Sequence, residues 1–149
     1  MFTVDASVYI SAMNPAEAGF MGSAAFLQRL REPSWPVFSP TLRLVEVAAA
    51  TARANADLTR VLAITRALSN LPGQTWVALD ESLATEAARM AAEARLRGAD
   101  AVYAAVASRH RCVLVTRDHQ QLERLPQKLT VLTPEEAMTH FHEAAPSCE

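Results

Sequence analysis

The chain has 149 residues, half of them apolar and a fifth charged, with a formal net charge of −2. That length suits one domain with a proper core. The charge balance excludes a protein that gathers nucleic acid by bulk positive charge. Every basic residue except Lys128 is Arg; Arg pairs with phosphate in a planar, bidentate way that Lys cannot, although compositional bias accounts for most of them. Cys112 lies in an apolar, strand-like run and Cys148 near the end. Neither has metal-ligand spacing, so both are expected as free thiols in a reducing cytoplasm. The first residues carry no basic segment and no apolar run approaches about eighteen residues, so neither a secretory signal nor a membrane span is expected.

In chain order, the first strand is expected at Phe2–Val4 of MFTVDASVYI, ending on Asp5. A helix is expected over Ser23–Leu30 and a strand over Val37–Ser39. Ser39-Pro40 reads as the N-cap and first residue of a helix to about Arg53, with a partner helix from about Asp57 to Leu68. The third strand is placed at Trp76–Leu79. Asp80 reads as the cap of a helix that runs to Arg97 and stops at Gly98. Asp100 opens a helix to about His110. Cys112–Thr116 and Thr130–Leu132 complete the strands, and Thr133-Pro134-Glu135-Glu136 is a capping box before Ala137–His142. The domain is bounded at residue 142, and 143–149 is expected to fray. Short strands that are apolar on both faces and alternate with helices predict an α/β domain with a parallel sheet covered on both sides. Chemistry in such sheets gathers at the carboxyl ends of the strands.

Of the five Asp residues, Asp5, Asp100 and Asp118 fall at that edge, while Asp57 and Asp80 look like helix starts on solvent-facing turns. In TLRLVEVAAATAR the stripe Leu42, Val45, Ala49 is apolar at helical spacing, and Glu46 lies at its margin. In ADAVYAAVA, Asp100 shares a face with Tyr103, Ala104 and Ala107. Each acid alone has an ordinary reading: a cap for Asp5 or Asp100, an ion pair with Arg43 for Glu46, a turn for Asp118. Together they should converge on one edge of one sheet, and clustered carboxylates cannot all ionise unless a cation offsets their repulsion. Oxygen ligands without His or Cys suit Mg²⁺ or Mn²⁺. The absence of a glycine-rich phosphate loop excludes a nucleotide hydrolase of that type.

The segments FTVDASVYI, SPTLRLVEVAAA, LRGADAVYAAVASRHRCVLVTRD and TRDHQQL resemble, in order and spacing, the PIN-domain ribonucleases, most closely the VapC-type toxins of bacterial and archaeal toxin–antitoxin pairs. The resemblance implies a five-stranded parallel sheet sandwiched by helices. It implies a metal site of Asp5, Glu46, Asp100 and Asp118, lined by the hydroxyls of Ser7 and Thr116. It also implies a homodimer and a small antitoxin lying across the Thr41–Leu68 helices, with or without the Ser23–Leu30 helix. RNA cleavage at such a site leaves a 5′-phosphate and a 3′-hydroxyl. Arg97, Arg117 and His119 are the basic residues near the acids and are expected to meet RNA phosphate. Arg109 and Arg111 lie at the far end of the fourth strand, and His140 and His142 are expected on the surface of the last helix. Two other readings are a PIN-type nuclease in RNA processing or on DNA, without an antitoxin, and a Mg²⁺-binding signalling module. The second needs a late Lys and an acid after the third strand, for which Lys128 and Asp80 are the available residues.

Overall fold

Parallel strands cannot be joined by tight turns, so each pair of neighbours needs a crossover, here made by helices. The computed structural model describes residues 1–32, 35–54 and 56–143, without the side chains of residues 140, 142 and 143. The expected frayed tail from residue 144, Cys148, and the surface placement of His140 and His142 lie outside the described residues. The elements in order are β1 (Phe2–Val4), α1 (Ala6–Ser11), α2 (Phe20–Arg31), β2 (Val37–Pro40), α3 (Leu42–Arg53), α4 (Leu58–Ser69), β3 (Gln74–Val77), α5 (Glu81–Ala94), α6 (Gly98–His110), β4 (Val113–Val115), α7 (His119–Arg124), β5 (Val131–Leu132) and α8 (Pro134–Glu143). The sheet is wholly parallel with strand order β3-β2-β1-β4-β5. The chain steps outward from β1 to β3 on one side and then returns to build β4 and β5 on the other. The reversal falls between β1 and β4, the place where open α/β sheets leave a crevice.

Burial explains the layers. Phe2 on β1 meets Phe26 of α2, Trp35 and Phe141 of α8 in one aromatic cluster, with ring centroids 5.3–6.0 Å from that of Phe2. Helix α6 lies against β1, β2 and β4, and every residue from Ala101 to Ala107 is buried. A helix buried all round needs small side chains where it meets both a sheet and a neighbouring helix, which is the role of its alanines.

Several boundaries differ from the sequence reading. Ser39 and Pro40 do not start a helix; both belong to β2, which pairs Ser39 with Trp76 and Pro40 with Val77. Helix α3 begins after Thr41, whose N–H is taken by Val77 O at 3.0 Å. The Ser39 hydroxyl instead accepts from the fully buried Arg43 at 2.7 Å. The third strand lies two residues earlier than Trp76–Leu79, because Gln74 is needed opposite Val37 and as a partner for Arg43 (2.9 Å). The apolar stripe on α3 is also rotated: Val45 is 64 % exposed, while Arg43 and Val47 are the buried pair. Helix α2 starts three residues before Ser23, and α7 is an additional short helix after Asp118.

The stop at Gly98 is likewise corrected. Helix α5 ends at Ala94, Arg95 takes a left-handed conformation (φ 52°), and Gly98 becomes the first residue of α6. The N–H of Leu96 reaches back to Ala91 O at 3.1 Å, a bond that closes the helix end and buries Leu96. The same device ends α6: Arg111 has φ 52°, and Cys112 N–H bonds Ala107 O at 2.9 Å. A left-handed non-glycine residue stores strain. Arg111→Gly is therefore expected to stabilise the protein by about 1 kcal/mol, read as a rise of roughly 3 °C in the thermal midpoint. A lowered midpoint would show that the Arg111 side chain contributes more than its backbone costs.

Candidate functional site

The carboxyl end of β1 delivers Asp5 into the crevice, and its N–H still continues the ladder to β4 through Val115 O (2.9 Å). Its two oxygens are divided. Oδ1 accepts from Ser7 N–H at 2.7 Å and so caps α1; Oδ2 accepts from the Gln121 side chain at 3.0 Å. Asp5 is buried, and burial pushes its carboxyl above the usual range.

Asp118 follows β4 on the other side of the crevice. Its Oδ1 accepts from Gln121 N–H at 3.0 Å, which starts α7, and its own N–H is held by Thr116 Oγ1 at 3.0 Å. Ser7 Oγ accepts from Arg117 N–H at 3.1 Å, stitching the β1 end to the β4 end. Both hydroxyls thus satisfy backbone groups beside the acids.

Asp100 is the third residue of α6 rather than its cap, a position where the helix dipole favours a carboxylate. Its Oδ1 accepts from Gln121 at 3.2 Å, while its Oδ2 is buried without a partner among the described residues. Burial, with the charges of Asp118 and Asp5, pushes this carboxyl up to about 6. Glu46 does not pair with Arg43. It accepts from the buried Tyr103 hydroxyl at 2.6 Å, and its carboxyl is raised by burial and by the charges of Asp5 and Asp100, against the lowering from Tyr103. Burial holds Tyr103 well above the ordinary phenol range, so it stays a donor. Asp5 and Asp100 thus each feel the charge of Asp118, and Glu46 feels those of Asp5 and Asp100.

The basic residues divide. Arg97 sits at the start of α6, exposed and close enough to lower the Asp100 carboxyl; His119 is exposed at the start of α7. Arg117 is already engaged: its guanidinium donates to Ser23 Oγ (2.6 Å) and pairs with Glu135 (2.5 Å). It lies so close to Gly19 that a Cβ there would come within 2.5 Å of its Cζ. As placed, Arg117 ties the β4 end to α2 and α8 rather than facing the acids. Arg109 pairs with Glu86 away from the site.

The donor set fits a hard divalent cation: four carboxylates, and one buried Asp100 oxygen with nothing to bind. Among the described residues, however, no three His, Cys, Asp or Glu side chains are gathered closely enough to hold a metal ion as they stand. Each acid is engaged in hydrogen bonds within the protein. Gln121 stands between Asp5 and Asp100, Asp118 caps its own helix, and Glu46 leans on Tyr103.

The sequence pattern of the PIN domain family matches residues 2–128. This chain belongs to that family. No curated protein matches it in sequence. Among solved structures, this PIN domain is similar to a toxin-antitoxin complex from Klebsiella pneumoniae (19 % identity, 90 % of this chain and 98 % of that one, TM-score 0.66). It is similar to FitAcB from Neisseria gonorrhoeae (21 %, 90 % and 98 %, 0.67). It is also similar to VapC20 of Mycobacterium tuberculosis, a sarcin-ricin loop cleaving toxin (18 %, 80 % and 91 %, 0.63). At these identities the likeness is one of fold.

Two residues that hydrogen-bond these acids escaped sequence reading. Tyr103 stood in an apolar helix face, where an aromatic ring is usually core. Gln121 had no signal beyond lying one turn after Asp118. The raised Asp100 carboxyl carries a pH signature. The unfolded chain ionises Asp100 near 3.8 and the folded one near 6, so between these values the folded state holds more protons. Its contribution to stability is therefore present below about 3.8 and lost as pH rises through about 6. In metal-free buffer, the Asp100→Asn variant should gain in thermal midpoint relative to the parent as pH rises through that window. A constant difference between the two would contradict the raised carboxyl.

Proposed function

We propose that this PIN domain is a Mg²⁺- or Mn²⁺-dependent endoribonuclease and the toxin of a toxin–antitoxin pair. The observation that carries the reading is the convergence of Asp5, Glu46, Asp100 and Asp118, with three of their carboxyls raised. Four acids of unlike origin in one crevice are costly to fold around unless a cation is to be held. A divalent ion bound by Asp5 and Asp100, with Glu46 and Asp118 alongside, would supply Lewis acidity: it lowers the pKa of a water and offsets charge on the leaving oxygen of a phosphodiester. The chain's own residues do the rest. Tyr103 aims Glu46 at the crevice, and Ser7 and Thr116 fix the two strand ends. Exposed Arg97 and His119 draw in a phosphate backbone that the acids alone would repel. Products with 5′-phosphate and 3′-hydroxyl ends fit attack by water.

RNA is favoured over DNA by the similar Mycobacterium tuberculosis protein, whose name records cleavage of the sarcin-ricin loop, and an antitoxin by the similar Klebsiella pneumoniae toxin-antitoxin complex. A groove of about 570 Å³ between α1, α2 and α4, lined by Met13, Leu27 and Leu68, offers such a partner an apolar seat. Leu58 and Leu62 on α4 stand exposed beside α3. A homodimer and a reducing cytoplasm complete the proposal. No helix among the described residues is long and apolar enough to cross a membrane.

Asp5→Asn and Asp100→Asn are expected to lower Mg²⁺- or Mn²⁺-dependent cleavage of single-stranded RNA by at least about a hundredfold, with unchanged circular dichroism. Either variant cutting at the parent's rate would sink the metal-site assignment. DNA cut in preference to RNA would replace the substrate. Expression of the parent should arrest growth and expression of Asp5→Asn should not; an absence of arrest would remove the toxin role and leave the nuclease.

A further inference from the structure

Gln121 is fully buried on α7, and its carboxamide nitrogen makes two bonds: to Asp5 Oδ2 at 3.0 Å and to Asp100 Oδ1 at 3.2 Å. The other end of the same amide, Oε1, is buried with no partner. Among the described residues, the side chain is thus held by the two carboxylates and by no other hydrogen bond. A buried Gln that leaves its carbonyl unsatisfied while spending both amide hydrogens on acids is poorly explained as core filling, since filling space needs no donor. It is well explained as a neutral donor standing between two like charges.

Resting on the cation-site reading above, we propose that Gln121 is a placeholder for the cation: its amide occupies the gap between Asp5 and Asp100 when no ion is bound and must yield for the ion to be shared by both. By linkage, a contact that stabilises the metal-free state and is lost on binding weakens binding by the same factor. Gln121 then positions the acids and sets the cation concentration at which the site loads, without touching substrate.

The test is Mn²⁺ binding to the purified full chain, read by calorimetry and by the electron paramagnetic resonance of free Mn²⁺, for the parent and for Gln121→Met. Met keeps the length of the side chain and removes its donors. Gln121→Met should melt lower than the parent without metal, bind Mn²⁺ about tenfold tighter or more, and reach the parent's melting temperature at saturation. Gln121→Ser, too short to span the two acids, should show the same gain in Mn²⁺ affinity and serves if the Met variant does not fold. A residue that merely fills space would lower the melting temperature and leave the affinity where it was. Affinity equal to the parent's within twofold, or weaker, overturns the placeholder role while the cation site stands. If neither parent nor variants bind Mn²⁺, the acidic crevice is not a cation site and both readings fall.

Discussion

Repulsion among four carboxylates at the edge of a buried sheet is the constraint around which this fold is arranged. At close range and away from bulk water, like charges cost several kcal/mol unless they are neutralised or hydrogen-bonded. Each acid here has its own local answer. Asp5 gives one oxygen to the first turn of α1 and the other to Gln121. Asp118 gives an oxygen to the first turn of α7. Glu46 accepts a hydrogen bond from the Tyr103 hydroxyl. Asp100 has the least support, with one shared amide and one unpartnered oxygen, and it is the acid pushed up to about 6. The site is least satisfied at the acid that opens the most deeply buried helix.

Two arginines, the buried Arg43 and the half-buried Arg117, hold the frame on which those acids sit. Arg43, one turn before Glu46, has no carboxylate partner among the described residues. It donates to Tyr9, Ser39 and Gln74 and lies over the rings of Tyr9 and Trp76. It thereby joins α1, β2 and β3 to the helix that presents Glu46. Arg117, between Thr116 and Asp118, reaches the other way to Ser23 and Glu135, joining the β4 end to α2 and α8. Arginine suits both places because its fork of fixed donors spans several partners at once. Both were legible in the sequence only as charges, one as a partner for Glu46 and the other as a phosphate ligand.

The strand order places the acids and the local sequence tunes them. Because the chain reverses between β1 and β4, residues 5 and 118 meet across one crevice although they are far apart in sequence. The N-terminus of α6 closes that crevice with Asp100, and α3 closes it with Glu46. The hydrogen-bonded groups in the gap, Gln121 and Tyr103, lie on the same elements as Asp100 and Asp118 but carry no chemical signal of their own in the sequence.

By itself the sequence determined the alternation of short apolar strands with helices, hence the parallel sheet, and placed Asp5, Asp100 and Asp118 at its carboxyl edge. Those features are local: a hydrophobic run, a following acid, a helical period. It also read correctly the caps made by Asp57 and Asp80 and the capping box at Thr133 and Glu136, because a cap needs only residues three or four apart. What it misjudged depended on partners distant in the chain. Ser39 and Pro40 read as a helix start until β3 paired with them. Val45 read as core until Arg43 was seen to be buried instead. Gly98 read as a stop until buried Leu96 and Cys112 showed that α5 and α6 end on left-handed arginines. Only the tertiary structure decided which groups stand between the acids, because a hydrogen bond from Gln121 to Asp5 spans 116 residues of sequence and exists only once β1 and β4 lie side by side.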